Sequence, residues 1–131
     1  MQQGLQKSLL HRPRNNTGAY GEALAVTFLQ HNHFHVLERN YRAGHGEIDI
    51  IALDTNTLVF VEVKTRASLA YGTPEGAISS QKLREVIRTG FMYKSRHPEL
   101  PASLRVDVIA IVLTKPNGSV LSLKHFQNIT L

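Results

Sequence analysis

The residues best suited to chemistry lie in one short segment, residues 46–66, with the sequence GEIDIIALDTNTLVFVEVKTR. Most of the segment is apolar and β-branched, which predicts two β-strands. Asp49, Glu62 and Lys64 nevertheless fall in the middle of those strands. A charged group inside an apolar strand is costly unless it is paired or binds a metal. Two carboxylates and a lysine on one sheet therefore indicate a site that holds a divalent cation beside a phosphodiester.

Side chains alternate between the two faces of a strand, and this alternation predicts which charged groups meet. Glu62 and Lys64 share one face of the second strand. On the first strand, Asp49 lies on the face opposite to Ile48 and Ile50. The short polar turn between the strands makes them antiparallel neighbours, so we expect Asp49 to lie across from Glu62.

This grouping suits metal-assisted hydrolysis of a phosphodiester. Mg²⁺ or Mn²⁺ would take Asp49 and Glu62 as carboxylate ligands, since such cations prefer oxygen and leave places for water and a substrate phosphate. The backbone carbonyl of Val63 is a further candidate ligand, and Glu22 could add a third carboxylate. Lys64 is placed to orient the attacking water or to stabilise the phosphorane. The alternative is a structural ion-pair network in which Lys64 bridges the two carboxylates.

Periodicity and turn signals predict the elements that position these residues. A helix runs from Asn16 or Thr17 to about residue 30 and carries Glu22 on its apolar side. The remaining elements are strands at about 35–42, 47–53 and 58–66, a loop at 67–76, a helix from Ser79 or Ser80 to about 95, and strands at 104–113 and 120–126. The order α-β-β-β-α-β-β predicts an α/β fold, a mixed sheet flanked by helices.

Basic residues beside the predicted site indicate contacts with nucleic-acid phosphates. Lys82, Arg84 and Arg88 lie on the second helix, and Arg66 ends the strand that carries Glu62. A solvated basic helix face is the alternative. The loop that follows Arg66 contains Tyr71 and either lines a DNA groove or only connects two elements.

Asp107 is a further charged residue in an apolar strand, between Val106 and Val108. We expect it to pair with Arg105 or another buried partner, because a buried carboxylate needs one, and not to act in catalysis.

Length and composition predict a single globular domain. The chain has 131 residues, of which 42% are hydrophobic and 19% charged, and it contains no cysteine. The last point excludes disulfides, thiolate nucleophiles and thiolate zinc sites. No apolar run approaches the roughly 20 residues of a membrane span, and no signal-peptide core is present. These features predict a cytoplasmic protein without a membrane partner.

The net charge of +5 is concentrated at the N-terminus. Residues 1–14 contain Lys7, Arg12 and Arg14 and no acid, and they show no periodicity. We expect a disordered basic tail at 1–14, with Arg12 and Arg14 contacting nucleic acid, before a folded domain at 15–131. A tail that only keeps the protein soluble is the alternative.

The spacing of the charged residues resembles a known nuclease signature. Asp49 followed after twelve residues by Glu62-Val63-Lys64 resembles the PD-(D/E)XK pattern, and the element order resembles the restriction-endonuclease-like core. GEIDIIA followed by LVFVEVKTR, with a GxxGExxA helix before and a basic helix after, is similar to the bacterial UPF0102 (YraN) family, itself similar to archaeal Holliday-junction resolvases. The resemblance runs from about Gly18 to Val112, and Ile48 stands where the superfamily pattern has proline.

The resemblance implies a role for each matching residue. Asp49 and Glu62 would be metal ligands, Lys64 the catalytic lysine, Glu22 the helix glutamate of resolvases, and Lys82 a residue that completes the site. The implied activity is that of a Mg²⁺- or Mn²⁺-dependent DNA endonuclease, acting as a homodimer on branched or structured DNA. The alternatives are a nucleic-acid-binding module that keeps the fold without cutting, and a scaffold protein whose basic tail recruits another factor.

Overall fold

A computed structural model describes residues 17–129. Its helices and strands are α1 (Thr17–His31), β1 (His35–Ala43), β2 (Gly46–Asp54), β3 (Thr57–Arg66), α2 (Ser80–Arg96), β4 (Ser103–Leu113) and β5 (Val120–Phe126). The predicted order α-β-β-β-α-β-β is confirmed, and a short 3-10 helix at Glu75–Ala77 was not predicted. The tail at 1–14 lies outside the described residues, so its boundary with a domain at 15–131 stays a prediction. Neither helix of the described range is long and apolar enough to cross a membrane.

The strands form one mixed sheet in the order β1-β2-β3-β4-β5. β3 and β4 are parallel, with Thr57 opposite Ser103 and Arg66 opposite Val112. The other neighbours are antiparallel. Because parallel neighbours need a long crossover, α2 carries the chain from the end of β3 to the start of β4. The predicted restriction-endonuclease-like mixed sheet flanked by helices is confirmed.

The two helices cover opposite faces of the sheet, each over its own hydrophobic core. Ala25 and Leu29 of α1 pack with alternate residues of β3, among them Val61. Val86 and Tyr93 of α2 pack on the other face. The alternation predicted for β3 is therefore confirmed, and Phe60 lies on the α2 side.

The alternation predicted for β2 is wrong at Asp49. Ile48 packs in the core under α2, whereas Ile50 packs in the core under α1, although they are two residues apart. Pairing of β2 with β3 ends at Ile50 and Val61, while pairing with β1 continues to Gly46. A strand held on only one side is free to twist, and this accounts for the change of face. Asp49 lies at the point where β2 leaves β3.

Candidate metal centre

Where β2 separates from β3, the side chain of Asp49 takes the place of the β2 backbone as hydrogen-bond partner of β3. The N–H of Val63 donates a hydrogen bond of 2.8 Å to Oδ2 of Asp49. In an antiparallel pair the N–H and C=O of one residue are directed to the same neighbouring strand. The carbonyl of Val63 is thus on the same edge of β3 as the Asp49 carboxylate, where the sequence predicted a ligand.

Glu62 is a buried carboxylate with too few partners. Its side chain is 7% exposed, and its Oε1 has no hydrogen-bond partner among the described residues. Burial, and then the charge of Asp49, raise the pKa of Glu62 to about 8. Burial also raises the pKa of Asp49, although the hydrogen bond from Val63 opposes this. When two adjacent carboxylates with few hydrogen-bond donors ionise, their burial and mutual repulsion destabilise the folded protein, and a bound cation would offset this loss.

Helix α1 brings Glu22 towards this pair because Gly21 allows a close approach to β3. A Cβ at Gly21 would lie 1.8 Å from Oγ1 of Thr65, so only glycine fits there without a shift of Thr65. Burial, and then the charge of Asp49, raise the pKa of Glu22 to about 6. Within residues 17–129, however, no three His, Asp or Glu side chains already form a metal-binding group. Glu22 is an electrostatic neighbour of Asp49, and its role as third ligand stays a prediction.

The donors that do come together fit a hard divalent cation. Asp49 and Glu62 offer carboxylate oxygens, one of them buried without a partner, and Val63 offers a carbonyl on the same edge. Mg²⁺ and Mn²⁺ accept such all-oxygen sets, and Mg²⁺ is commonly held by one or two carboxylates, with water and substrate phosphate completing the shell. The roles of these residues as ligands remain predictions.

Lys64 does not form the structural network that was the alternative. It is partly exposed on the strand that carries Glu62, and in the part of the chain that the structure describes it makes no ion pair. Its charge acts on Glu62 from a distance by lowering the pKa of that carboxyl. The ammonium group of Lys64 is therefore available to a substrate.

Lys82 is the basic residue of α2 that faces the carboxylates. The hydroxyl of Ser79 caps α2 by accepting a hydrogen bond of 3.0 Å from the N–H of Lys82, which fixes the first turn of the helix. The charge of Lys82 lowers the pKa of Glu62 more than the charge of Lys64 does. Its Nζ lies 3.3 Å from Oε1 of Glu85. Glu85 was not predicted, although its i,i+3 spacing from Lys82 was a usable signal.

The other predicted nucleic-acid contacts are not gathered at the carboxylates. Arg66 is partly buried, and its Nε has no hydrogen-bond partner among residues 17–129. Arg84 and Arg88 are exposed, and Arg88 borders a cavity of about 240 Å³ together with Glu85. Arg12 and Arg14 lie outside the described residues.

Asp107 pairs with Arg105, as the sequence predicted. It is fully buried and accepts hydrogen bonds from Nε and Nη2 of Arg105, at 2.9 and 3.0 Å. Nε2 of His125 lies 2.8 Å from its Oδ2, and the N–H of Asn128 donates to its Oδ1 at 3.0 Å. Burial would raise the pKa of Asp107, but the hydrogen bonds outweigh burial and hold that pKa below its usual value. His125 was not predicted as a partner.

The comparisons with known proteins all point to the same family. The sequence model of the family described as "Uncharacterised protein family UPF0102" matches residues 21–111. A UPF0102 protein of Geotalea daltonii is 45% identical over 111 residues, which cover 85% of this chain and 86% of the relative. One of Chlorobium phaeobacteroides is 44% identical over 87% of this chain and 93% of its own, and one of Clostridium botulinum is 38% identical over 91% and 97%. The chain therefore belongs to the UPF0102 family, as its resemblance predicted.

Proposed function

We propose that this protein is a Mg²⁺- or Mn²⁺-dependent DNA endonuclease that hydrolyses phosphodiester bonds. The observation that carries the proposal is the pair formed by the half-buried Asp49 and the buried Glu62, with an oxygen of Glu62 that no donor in residues 17–129 satisfies. Buried carboxylates without partners destabilise a fold, and groups with such perturbed pKa values cluster at functional sites. A non-cleaving binding module has no use for them, because they would repel phosphate in the absence of a cation.

Each residue of the proposed site has its own role. Asp49, Glu62 and the Val63 carbonyl would hold the metal, and Glu22 adds negative charge near Asp49. When bound, the cation supplies Lewis acidity towards the phosphoryl oxygen and lowers the pKa of a coordinated water. Lys64, which makes no ion pair in the described range, orients the attacking water and stabilises the charge that develops on the phosphate. Because the pKa of Glu62 is about 8, this carboxyl gives up its proton when the cation binds near neutral pH.

DNA is the proposed partner because Lys64 and Lys82 bring positive charge to the carboxylates and further basic residues lie on α2 and at the end of β3. Arg66, Lys82, Arg84 and Arg88 contact backbone phosphates, and Arg12 and Arg14 extend these contacts from the N-terminus. The net charge of +5 favours a polyanion. Branched DNA as substrate and a homodimer as the active assembly rest on the similarity of the family to resolvases.

Cleavage assays with matched variants test the proposal. Four-way junctions, flaps, single strands and plain duplex are incubated with Mg²⁺ or Mn²⁺ and with wild type, Asp49→Asn, Glu62→Gln or Lys64→Ala. We expect each variant to lose about 100- to 1,000-fold or more in cleavage rate, since each removes a ligand or a charge used in the transition state. Asp54→Asn and Lys124→Ala, which change a carboxylate and a lysine away from the site, keep the wild-type rate.

A second measurement separates the enzyme from the binding module. Calorimetric titration of the nucleic-acid-free protein with Mn²⁺ shows binding that Glu62→Gln weakens and Asp54→Asn does not. Cleavage that persists in both Glu62→Gln and Lys64→Ala would overturn the assigned site. DNA binding with no cleavage of any substrate by wild type, with either metal, would overturn the nuclease and establish the binding module.

A further inference from the structure

The most exposed large apolar side chain of the described residues lies in the loop that follows the proposed catalytic strand. Tyr71 is 88% exposed, and Leu69 in the same loop is 57% exposed. Burying an aromatic residue stabilises a protein, and the largely exposed Tyr71 contributes almost none of this to the fold. Its exposed ring is therefore available to a ligand.

The loop joins the two elements that bear the candidate site. It leaves β3 at Arg66, just after Glu62 and Lys64, and leads into α2, whose first turn carries Lys82. Nine residues of chain from Glu62 to Tyr71 span at most about 31 Å. DNA rises 3.4 Å per nucleotide, so this reach corresponds to about nine nucleotides at most. Tyr71 is thus within reach of bases on the same strand as a phosphate held at the carboxylates.

Hydrogen bonds hold Tyr71 in a defined turn. The N–H of Gly72 donates to the carbonyl of Leu69 at 3.1 Å, and the N–H of Ala70 donates to Oγ of Ser68 at 3.1 Å. Gly72 has φ of +99°, a conformation that glycine adopts without strain. The turn fixes the backbone that carries the ring, which reduces the backbone entropy that a contact would cost.

Charge around the loop favours a nucleobase as the contact. Residues 67–74 contain no charged side chain; Lys64 and Arg66 precede them on β3, Glu75 follows them, and Lys82 lies further on in the first turn of α2. A neutral aromatic ring in a loop that directly follows Lys64 and Arg66 suits a base flanked by phosphates, because the ring stacks on the base and the cations contact the backbone. Only a base outside a continuous duplex stack exposes its face to such a ring.

We infer that Tyr71 stacks on an unpaired or unstacked base next to the phosphate held at Asp49 and Glu62, and that it directs this site to single strands, flaps and junctions. The inference rests on the proposed function for the position of the cut, but the stacking itself is measurable without cleavage.

A single-tryptophan variant tests the contact directly. The chain contains no tryptophan, so Tyr71→Trp introduces one reporter. With Ca²⁺ in place of Mg²⁺ or Mn²⁺, so that a hard cation can occupy the carboxylates, single-stranded and flap oligonucleotides should quench its emission more than duplex of the same length does. Tyr71→Ala should weaken binding of single strands and flaps roughly 5- to 150-fold, the effect of one base stack, with a smaller change for duplex. Tyr71→Phe should keep the affinity.

Phe91→Ala is the matched control, since Phe91 on α2 is another exposed aromatic residue, at 59%. It should leave all three affinities unchanged. Wild-type affinity of Tyr71→Ala for every substrate, or unchanged Tyr71→Trp emission at saturation, would overturn the inference. So would emission that depends on protein concentration without nucleic acid, because Tyr71 would then contact a second copy. Quenching without cleavage in any metal supports the stacking contact and overturns the nuclease alone.

Discussion

Glu62 and Asp107 are buried carboxylates on neighbouring parallel strands, β3 and β4, yet the chain surrounds them differently. Asp107 accepts hydrogen bonds from Arg105 and from the N–H of Asn128, and it lies against His125. Glu62 has Asp49 beside it and an oxygen that no donor of the described residues reaches. The pKa of Asp107 is lowered, while the pKa of Glu62 is raised to about 8.

This comparison shows that burial of a carboxylate does not by itself indicate function. Asp107 is as buried as a side chain can be, and the protein supplies its partners, so it stabilises the fold. Glu62 lacks a partner that the fold could have supplied, so something from outside is expected to supply it. The number and sign of the surrounding partners distinguish a structural carboxylate from a candidate ligand.

The largest expected effect is the loss of folding stability when Asp107, the structural carboxylate, is removed. Asp107→Ala should lower the free energy of unfolding by about 3–5 kcal/mol, because it leaves Arg105 and His125 without their buried partner. Asp54→Ala is the control: Asp54 pairs with Nη1 of Arg105 at 2.9 Å but is partly exposed, and such pairs contribute about 1 kcal/mol or less. Urea denaturation measures both. Equal losses in the two variants would mean that the buried Asp107 network stabilises the fold no more than the partly exposed Asp54–Arg105 pair does.

Binding of a metal ion should stabilise the folded protein through Glu62 and not through Asp107. At a free Mn²⁺ concentration one hundred times its dissociation constant, the free energy of unfolding should rise by about 2.7 kcal/mol. Glu62→Gln should remove most of this gain at the same concentration, whereas Lys124→Ala on β5 should keep it. Thermal unfolding with Mn²⁺ and with EDTA provides the measurement. A gain that survives Glu62→Gln would place the cation elsewhere.

The most specific expected effect, small for each pH unit, is an opposite dependence on pH. The folded protein holds the Glu62 proton more tightly than the unfolded chain does, because the pKa rises from 4.5 to about 8. The metal-free protein should therefore lose stability as pH rises through this range, on the order of 1 kcal/mol per pH unit. Glu22, with its pKa raised to about 6, adds in the same direction. Asp107 has the opposite sign: its contribution is present above its usual pKa of 3.8 and is lost as pH falls below it.

Glu62→Gln separates the two contributions. It should flatten the decline between about pH 5 and 8 and leave the acid-side loss unchanged, because Asp107 is untouched. Chemical denaturation of the metal-free protein at a series of pH values gives both slopes. An unchanged neutral slope in Glu62→Gln would show that the site does not hold the proton.

Much of the fold was predictable because its signals are local. The hairpin turn closes between Asp54 and Thr57 as expected, and Ser79 caps α2 where its side chain predicted a helix start. The change of face between Ile48 and Ile50 was not predictable. It depends on where pairing with β3 stops, and no pattern within β2 encodes that point.

The sequence by itself determined which residues carry charge into the sheet and which face of β3 they occupy, since alternation is a property of the extended backbone. It also required a partner for Asp107, because a lone buried carboxylate is unstable. The sequence named Arg105 as that partner, whereas tertiary structure alone supplied His125 and Asn128, which lie 18 and 21 residues away along the chain. Tertiary structure likewise gave Asp49 the N–H of Val63 and left Glu62 unsatisfied. The number of hydrogen-bond partners that a buried carboxylate finds depends on how elements distant in sequence pack. That number distinguishes the structural carboxylate Asp107 from the candidate metal ligand Glu62.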